Sequence, residues 1–161
     1  MDYTFTLAQE ADASAVFALY QGLIGTPGCT WSEHYPTEDF IRADIQSGSL
    51  YLIKDAQGEI IAAASAGGER ELDDLLWEPQ NPCELARVGV SLSHQHQGIG
   101  SFLLKRVIAA TRQRGFDGIV LLVSTANPAA IALYEKHGFT RCGEINRYGF
   151  DFYRYQLLFG I

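Results

Sequence analysis

An α/β sandwich with a mixed sheet is the fold class this sequence predicts. Apolar, β-branched runs short enough for strands occur at 50–54 (LYLIK) and 118–125 (GIVLLVST). A run with helical spacing of its apolar residues, 100–114, stands between such strands. The order of elements also changes along the chain, a hairpin early and strand-helix-strand-helix later, which suits a mixed sheet covered by helices. The 161 residues are the size of one domain, and 47% hydrophobic with 19% charged is a globular composition. One domain over 1–161 is the expectation.

The elements follow in order. Residues 3–7 (YTFTL) alternate like a half-buried strand, and 11–24 carry Val16, Tyr20, Leu23 and Ile24 at helical spacing. Residues 25–36 (GTPGCTWSEHYP) are loop by composition. Thr37 before Glu38 and Asp39 reads as an N-cap with acidic residues in the first turn, opening a short helix that Gly48 ends. LYLIK, a DAQG turn and EIIAAASAG (59–67) read as a hairpin. Residues 68–83, with Trp77 and two prolines among charges, read as a mobile connection near a site. ELARVGVSL (84–92) is a strand. The helix over 100–114 sets Leu103, Leu104, Val107, Ile108 and Thr111 on one face before Gly115. GIVLLVST is apolar enough to be buried on both faces. Residues 128–137 form a helix begun by proline and ended before Gly138. FTRCGEI and FDFYRYQLLF close the chain as two strands.

Several function classes are disfavoured. The N-terminus lacks the charge pattern of a secretory signal, and no run approaches the roughly 20 apolar residues that span a bilayer, so a soluble, cytoplasmic protein is expected, with no membrane partner. Cys29, Cys83 and Cys142 are odd in number and widely spaced, which does not suit a disulfide framework. The net charge of -7, with no basic stripe interleaved with aromatics, disfavours nucleic acid. That charge is unevenly spread. Residues 1–83 hold 14 acidic and 3 basic side chains, whereas 84–161 hold 5 and 9. Chance distribution of solvated charges is the plain reading. The sharper reading is a polyanionic ligand held by the second half and a cationic one met by the first.

The stretch SHQHQGIGSFLL (93–104) joins a strand to a helix and holds hardly a bulky apolar side chain before Phe102. Three ligand chemistries compete. A metal site on His94 and His96 finds no third ligand at a typical spacing, and none is expected. A dinucleotide fingerprint needs a third glycine where Leu103 stands, and a P-loop needs a lysine followed by Ser or Thr. An anion cradle fits: the strand ends, glycines allow close backbone approach, and free N–H groups with the positive end of the helix dipole face one point. A tight strand-to-helix turn without a ligand is the alternative.

Gln95-His96-Gln97-Gly98-Ile99-Gly100 resembles the Q/R-x-x-G-x-G/A signature of the GNAT superfamily of N-acetyltransferases. ELARVGVSL is similar to that family's fourth strand, and NPAAIALYEKHGF (127–139) to its asparagine, helix and Tyr-Glu-Lys-x-Gly-Phe segment. The opening strand and helix and the final FYRYQ strand fall in the family's order, so the likeness covers nearly the whole chain. It implies a GNAT-like mixed, mostly antiparallel sheet of six or seven strands flanked by about four helices. His96 departs from the family, standing where glycine is usual, as does Leu92 where proline is frequent.

The resemblance further implies acetyl-CoA as co-substrate, without metal. Gln95, His96, Gln97, Gly98, Ile99, Gly100 and Ser101 would cradle its pyrophosphate. The strands 84–92 and 118–125 would part to admit the pantetheine arm against backbone groups of Val88 and Val90, with Asn127 bonding the arm from the other side. Tyr134 matches the family's tyrosine near the thioester sulfur, where a phenol of pKa about 10 donates to the departing thiolate; it also lies in a helical pattern with Ile131, and packing alone would explain it. Glu84, at the start of the fourth strand, is the candidate general base, and an exposed strand-end glutamate is its plain alternative. Glu33, Tyr35, Glu69, Asp73 and Asp74 fall in loops suited to an acceptor pocket. The implied reaction is direct attack of a primary amine, cationic when free, on acetyl-CoA in a ternary complex. A non-catalytic acyl-CoA-binding module of the same fold is the alternative, and a homodimer stays open.

Overall fold

In the computed structural model, which describes residues 2–160, every strand read from the sequence joins one sheet. β1 (Thr4–Leu7) pairs with β2 (Leu50–Lys54), and β2 with β3 (Ile60–Gly67), all antiparallel. β4 (Pro82–Val90) follows antiparallel to β3. Its other neighbour is β5 (Gly118–Ser124), the one parallel partner in the sheet. Beyond β5 come β7 (Phe150–Leu158) and then β6 (Thr140–Arg147), so the order is β1-β2-β3-β4-β5-β7-β6. The family-like sheet expected from the sequence is thus observed, with seven strands.

Four α-helices cover it: α1 (Ala13–Gln21), α2 (Glu38–Gln46), α3 (Ile99–Gln113) and α4 (Pro128–Lys136). The side-chain period of two explains why LYLIK is apolar throughout. Tyr51 and Ile53 face the core beneath α3 and α4, whereas Leu50 and Leu52 join Val16, Tyr20 and Ile41 beneath α1 and α2. Both faces are buried. Each fully enclosed Leu or Ile contributes about 1.5–3 kcal/mol by leaving water.

Local signals act where the sequence places them, with two differences. Thr37 caps α2, its hydroxyl accepting from the Phe40 N–H. Helix α1, expected to reach 24, stops at Gln21, because Gly22 and the left-handed Gly25 release the chain into the segment 22–37. The segment 68–81 is pinned where the sequence suggested mobility. The Trp77 indole donates to the Leu72 carbonyl (2.9 Å), and the Glu78 N–H to Gln156 Oε1 (3.1 Å). The Gln80 and Asn81 N–H groups donate to the Asp117 carboxylate at 2.9 and 3.0 Å.

The feature that positions the site is where β4 and β5 part. They pair only over Pro82–Glu84 opposite Gly118–Val120. Thereafter β5 continues with β7 alone and β4 with β3 alone. A bulge drives this: Ala63 opposes Gly89 but Ser65 opposes Ala86, so β4 carries an extra residue between. Arg87 sits there with φ +51°. A bulge sharpens the local twist, which swings the second half of β4 away from β5.

Candidate active site at the parting of two strands

The cradle occupies the end of the swung strand. After Val90 the chain makes a short 3-10 turn (Leu92–His94), an extended residue at Gln95, a left-handed one at His96 (φ +64°) and another at Gly98 (φ +81°), and enters α3 at Ile99. His96 therefore has the backbone geometry that glycine adopts freely, which accounts for glycine being usual in that place. The first helical bond runs from the Phe102 N–H to the Gly98 carbonyl, so the N–H groups of Ile99, Gly100 and Ser101 precede it, unpaired within the helix. The Gln95 amide braces the turn against the Val90 carbonyl, and that of Gln97 against Ser93, both at 3.2 Å. Ser101 Oγ lies 2.7 Å from His137 Nε2. Burial, with Lys105 and Lys136 nearby, holds the His137 pKa down.

The two glycines serve different ends. A side chain at Gly98 would meet open space, and the left-handed backbone is the demand there. A Cβ at Gly100 would lie 3.3 Å from Leu133 and 3.9 Å from Val90, so that glycine lets α3 approach α4 and the end of β4. At Gly100 helix packing thus adds a demand of its own to the close backbone approach that the sequence suggests for both glycines.

Beneath the cradle, Leu85, Val88, Gly100, Leu103, Leu133 and Tyr134 line a narrow apolar crevice on the α3–α4 face. Tyr134 is 6% exposed, its ring 5.5 Å from Phe139. Among the described residues no group hydrogen-bonds its hydroxyl, and burial pushes its pKa up, so the phenol stays protonated at any ordinary pH. Asn127 caps α4, with Oδ1 accepting from the Ala130 N–H at 3.2 Å. Gly28 of the segment 22–37 rests directly on Asn127, where a Cβ would come within 2.7 Å. That segment is thereby held over the β5–α4 turn.

Glu84 lies on the other face. Cys83 and Leu85 flank it and point into the core beneath α3, so alternation turns Glu84 toward the α1–α2 side, at the last paired position before the strands part. It is buried, not the exposed strand end that was its alternative. Its Oε2 accepts from the Leu72 N–H at 3.1 Å, and burial, aided by Asp73 and Glu71, pushes its pKa up to about 6. A carboxylate so placed is ionised at neutral pH yet a stronger base than usual.

On the same face opens a groove of about 500 Å³ lined by Phe40, Ala43, Asp44, Ser47, Glu69, Arg70 and Glu71. Asp44 and Arg87 form a buried bidentate pair at its wall, at 2.8 and 2.9 Å. Arg87 also donates to the Tyr35 hydroxyl (2.9 Å) and to Glu69 (3.0 Å). Burial first, then the adjacent Asp44 carboxyl, pushes the Glu69 pKa up to about 7. Of the loop residues suggested by sequence, Tyr35 and Glu69 thus meet at Arg87, and Glu69 also lines the groove. Glu33 is exposed beside His34, Asp73 pairs with Arg70, and Asp74 with Arg147. Asp44 and Arg87 were missed. The available signal was an arginine inside a strand and an aspartate on the apolar face of α2, three residues after Ile41.

No group of three His, Cys, Asp or Glu among the described residues is arranged to hold a metal, and no helix among them is long and apolar enough to cross a membrane.

Residues 16–139 match the family model for the acetyltransferase (GNAT) family. N-acetyltransferase family 8 member 3 of Mus musculus is 27% identical over 137 residues, covering 81% of this chain and 59% of that protein. The chain thus spans well under two thirds of the length of that relative. An L-amino acid N-acyltransferase of Escherichia coli is 24% identical over 152 residues, 92% of this chain and 86% of that one. Among solved structures, an acetyltransferase of Salmonella typhimurium with its cofactor acetyl-CoA superposes with TM-score 0.79 at 24% identity, covering 98% of this chain and 94% of that one. A ribosomal-protein-alanine N-acetyltransferase of Brucella melitensis does so with TM-score 0.78 at 23% identity, covering 97% and 99%.

Proposed function

The chain belongs to the GNAT family of acetyltransferases, and from that membership we propose that it moves the acetyl group of acetyl-CoA to a primary amine by direct attack in a ternary complex. The observation that carries this reading is the parting of β4 from β5 directly below a left-handed strand-to-helix turn, with Tyr134 in the crevice and Glu84 across the sheet from it.

In this reading the backbone from Gln95 to Ser101 receives the pyrophosphate, with the unpaired N–H groups of Ile99, Gly100 and Ser101 as donors. The arm lies in the crevice, its amides bonded by backbone groups of Val88 and Val90. Asn127 uses its Oδ1 for the helix cap and keeps its Nδ2 hydrogens for the arm. The bulge N–H at Val88 polarises the thioester carbonyl.

Both faces of the sheet take part. The acceptor arrives from the α1–α2 side, where Glu84 takes its proton through a water and leaves a neutral nitrogen to attack the carbonyl carbon. The tetrahedral species collapses with cleavage of the C–S bond, the Tyr134 phenol protonates the leaving thiolate from the α3–α4 side, and the second proton of the attacking nitrogen returns through water to the Tyr134 phenolate. The products are the acetylated amine and free CoA thiol. Asp44, Glu69 and Glu71 at the groove support a cationic acceptor.

Thermal unfolding with and without acetyl-CoA, followed by a screen of amines for release of free thiol, tests the reading. A rise in melting temperature with acetyl-CoA and thiol release with at least one amine are expected. Binding without transfer to any amine would favour a non-catalytic acyl-CoA-binding module. Absence of binding would remove both.

A further inference from the structure

Arg87 makes five polar contacts that the mechanism above leaves unused. Its guanidinium donates to both Asp44 oxygens (2.8 and 2.9 Å), the Tyr35 hydroxyl (2.9 Å), Glu69 Oε1 (3.0 Å) and Ser65 Oγ (3.4 Å). Its own carbonyl accepts from the buried Tyr20 hydroxyl at 2.6 Å. The residue is 5% exposed.

Two demands meet at this one position. The bulge requires a left-handed residue, and φ at Arg87 is +51°. A glycine would satisfy that demand without strain, so the turn alone does not explain an arginine. A buried partner for Asp44 explains two of the five contacts. It leaves out Tyr35 and Glu69, which reach in from the segments 22–37 and 68–81, Glu69 with a side chain still 32% exposed at the groove. Side chains from three separate parts of the chain, two of which line the groove, therefore converge on the residue that shapes β4 where it leaves β5.

We infer that Arg87 is a positioning residue: its grip on Asp44, Tyr35 and Glu69 holds the bulge so that the Val88 N–H is aimed into the parting of the strands, and it links the acceptor groove to the polarisation of the thioester. The inference rests on the acetyl-transfer reading above. An acceptor cation entering the groove meets Glu69 from the open side while Arg87 holds it from the buried side. The two ligands thereby share a rigid connection through one guanidinium, whose planar, bidentate geometry a lysine does not reproduce.

The test is the infrared carbonyl band of bound acetyl-CoA carrying a ¹³C label at the acetyl carbonyl, measured alongside steady-state kinetics. In the parent the band should lie below that of free acetyl-CoA. The variant to compare is Arg87→Gly combined with Asp44→Asn, in which glycine keeps the left-handed turn and asparagine avoids a lone buried carboxylate. Its band should return toward the free value and its kcat should fall about tenfold or more, while its Kd for acetyl-CoA stays within about threefold. Tyr35→Phe, which removes one contact at the rim, should lower kcat severalfold and raise KM for the amine but not for acetyl-CoA. A folded double variant with the parent's band and kcat would reduce Arg87 to a structural ion pair. If the double variant does not fold, Tyr35→Phe and Arg87→Lys decide, and parental values in both would overturn the inference. A parent that binds acetyl-CoA without displacing the band would also overturn it. A parent that does not bind acetyl-CoA at all would instead defeat the acetyl-transfer reading.

Discussion

Replacing Glu84 with glutamine tests the acceptor side of the reaction most directly. The side chain keeps its size and can still accept from the Leu72 N–H, but it no longer takes a proton. In the parent the carboxyl has its pKa pushed up from 4.5 to about 6, chiefly by burial. A base is active when ionised, so kcat should decline as pH falls through about 6. Ionisation is about 90% at pH 7 and about 10% at pH 5, a roughly ninefold loss in rate. Glu84→Gln should lower kcat by about 10²-fold or more at pH 8 and abolish that limb. Glu69→Gln is the control, because Glu69 titrates near 7 at the groove and its loss should leave the lower limb in place. The stability effect has the opposite sign. A carboxyl whose folded pKa exceeds its unfolded one binds protons more tightly when folded, so it disfavours folding progressively as pH rises from 4.5 past 6. For a rise of this size the cost is about 2 kcal/mol at pH 7.5. The glutamine variant should therefore be less active yet at least as stable there, by denaturant melts at pH 5 and 7.5. A Glu84→Gln protein with an unchanged limb near pH 6 would assign the base elsewhere.

The remaining predictions concern the other parts of the site. Tyr134→Phe keeps the ring against Phe139 but removes the phenol proton, so the single-turnover rate should drop about 10²-fold with acetyl-CoA affinity little changed; an unaltered chemical rate would remove Tyr134 from the mechanism. Gly98→Val forces a β-branched residue to φ +81° and should weaken the acetyl-CoA-induced rise in melting temperature, whereas Gly100→Ala, tight against Leu133, should act mainly on stability. The preference for a cationic over a neutral acceptor should shrink as salt rises from about 0.05 to about 0.5 M, over which the Debye length contracts from roughly 14 to roughly 4 Å, and an anionic best acceptor would remove the charge argument.

What the sequence revealed and what it hid divide along local and non-local physics. The turn from β4 into α3 was legible because its demands are local: a strand end, a left-handed glycine and a helix start lie within ten residues of chain. The alternation of LYLIK and the Thr37 cap are local too. The parting of β4 and β5 is not, since it follows from a one-residue mismatch between β4 and β3 that only pairing creates. Arg87 and Asp44 are 43 residues apart, and although each is an oddly placed charge in its own element, nothing local pairs them. The segment 68–81 was misjudged as mobile for the same reason. Its anchors, Glu84, Asp117 and Gln156, are supplied by three different strands or their ends.

The uneven charge of the two halves gains a physical reading from this geometry. The acidic first half contributes Asp44, Glu69 and Glu71 to the groove on the α1–α2 face. The basic second half contributes Lys105 and Lys136, close enough to His137 to depress its pKa, on the α3–α4 side where Ser101 opens the cradle. The groove is thus lined by three carboxylates against Arg70, with Arg87 buried behind them, while Lys105 and Lys136 stand on the opposite face. In the proposed reaction a polyanion and a cation would approach from different faces and meet where the strands part. Where the strands part, Glu84 lies on the α1–α2 side with its pKa raised by burial, and Tyr134 on the α3–α4 side with its proton firmly held. In the proposed transfer that arrangement would take a proton off the attacking nitrogen on one face and deliver one to the leaving sulfur on the other.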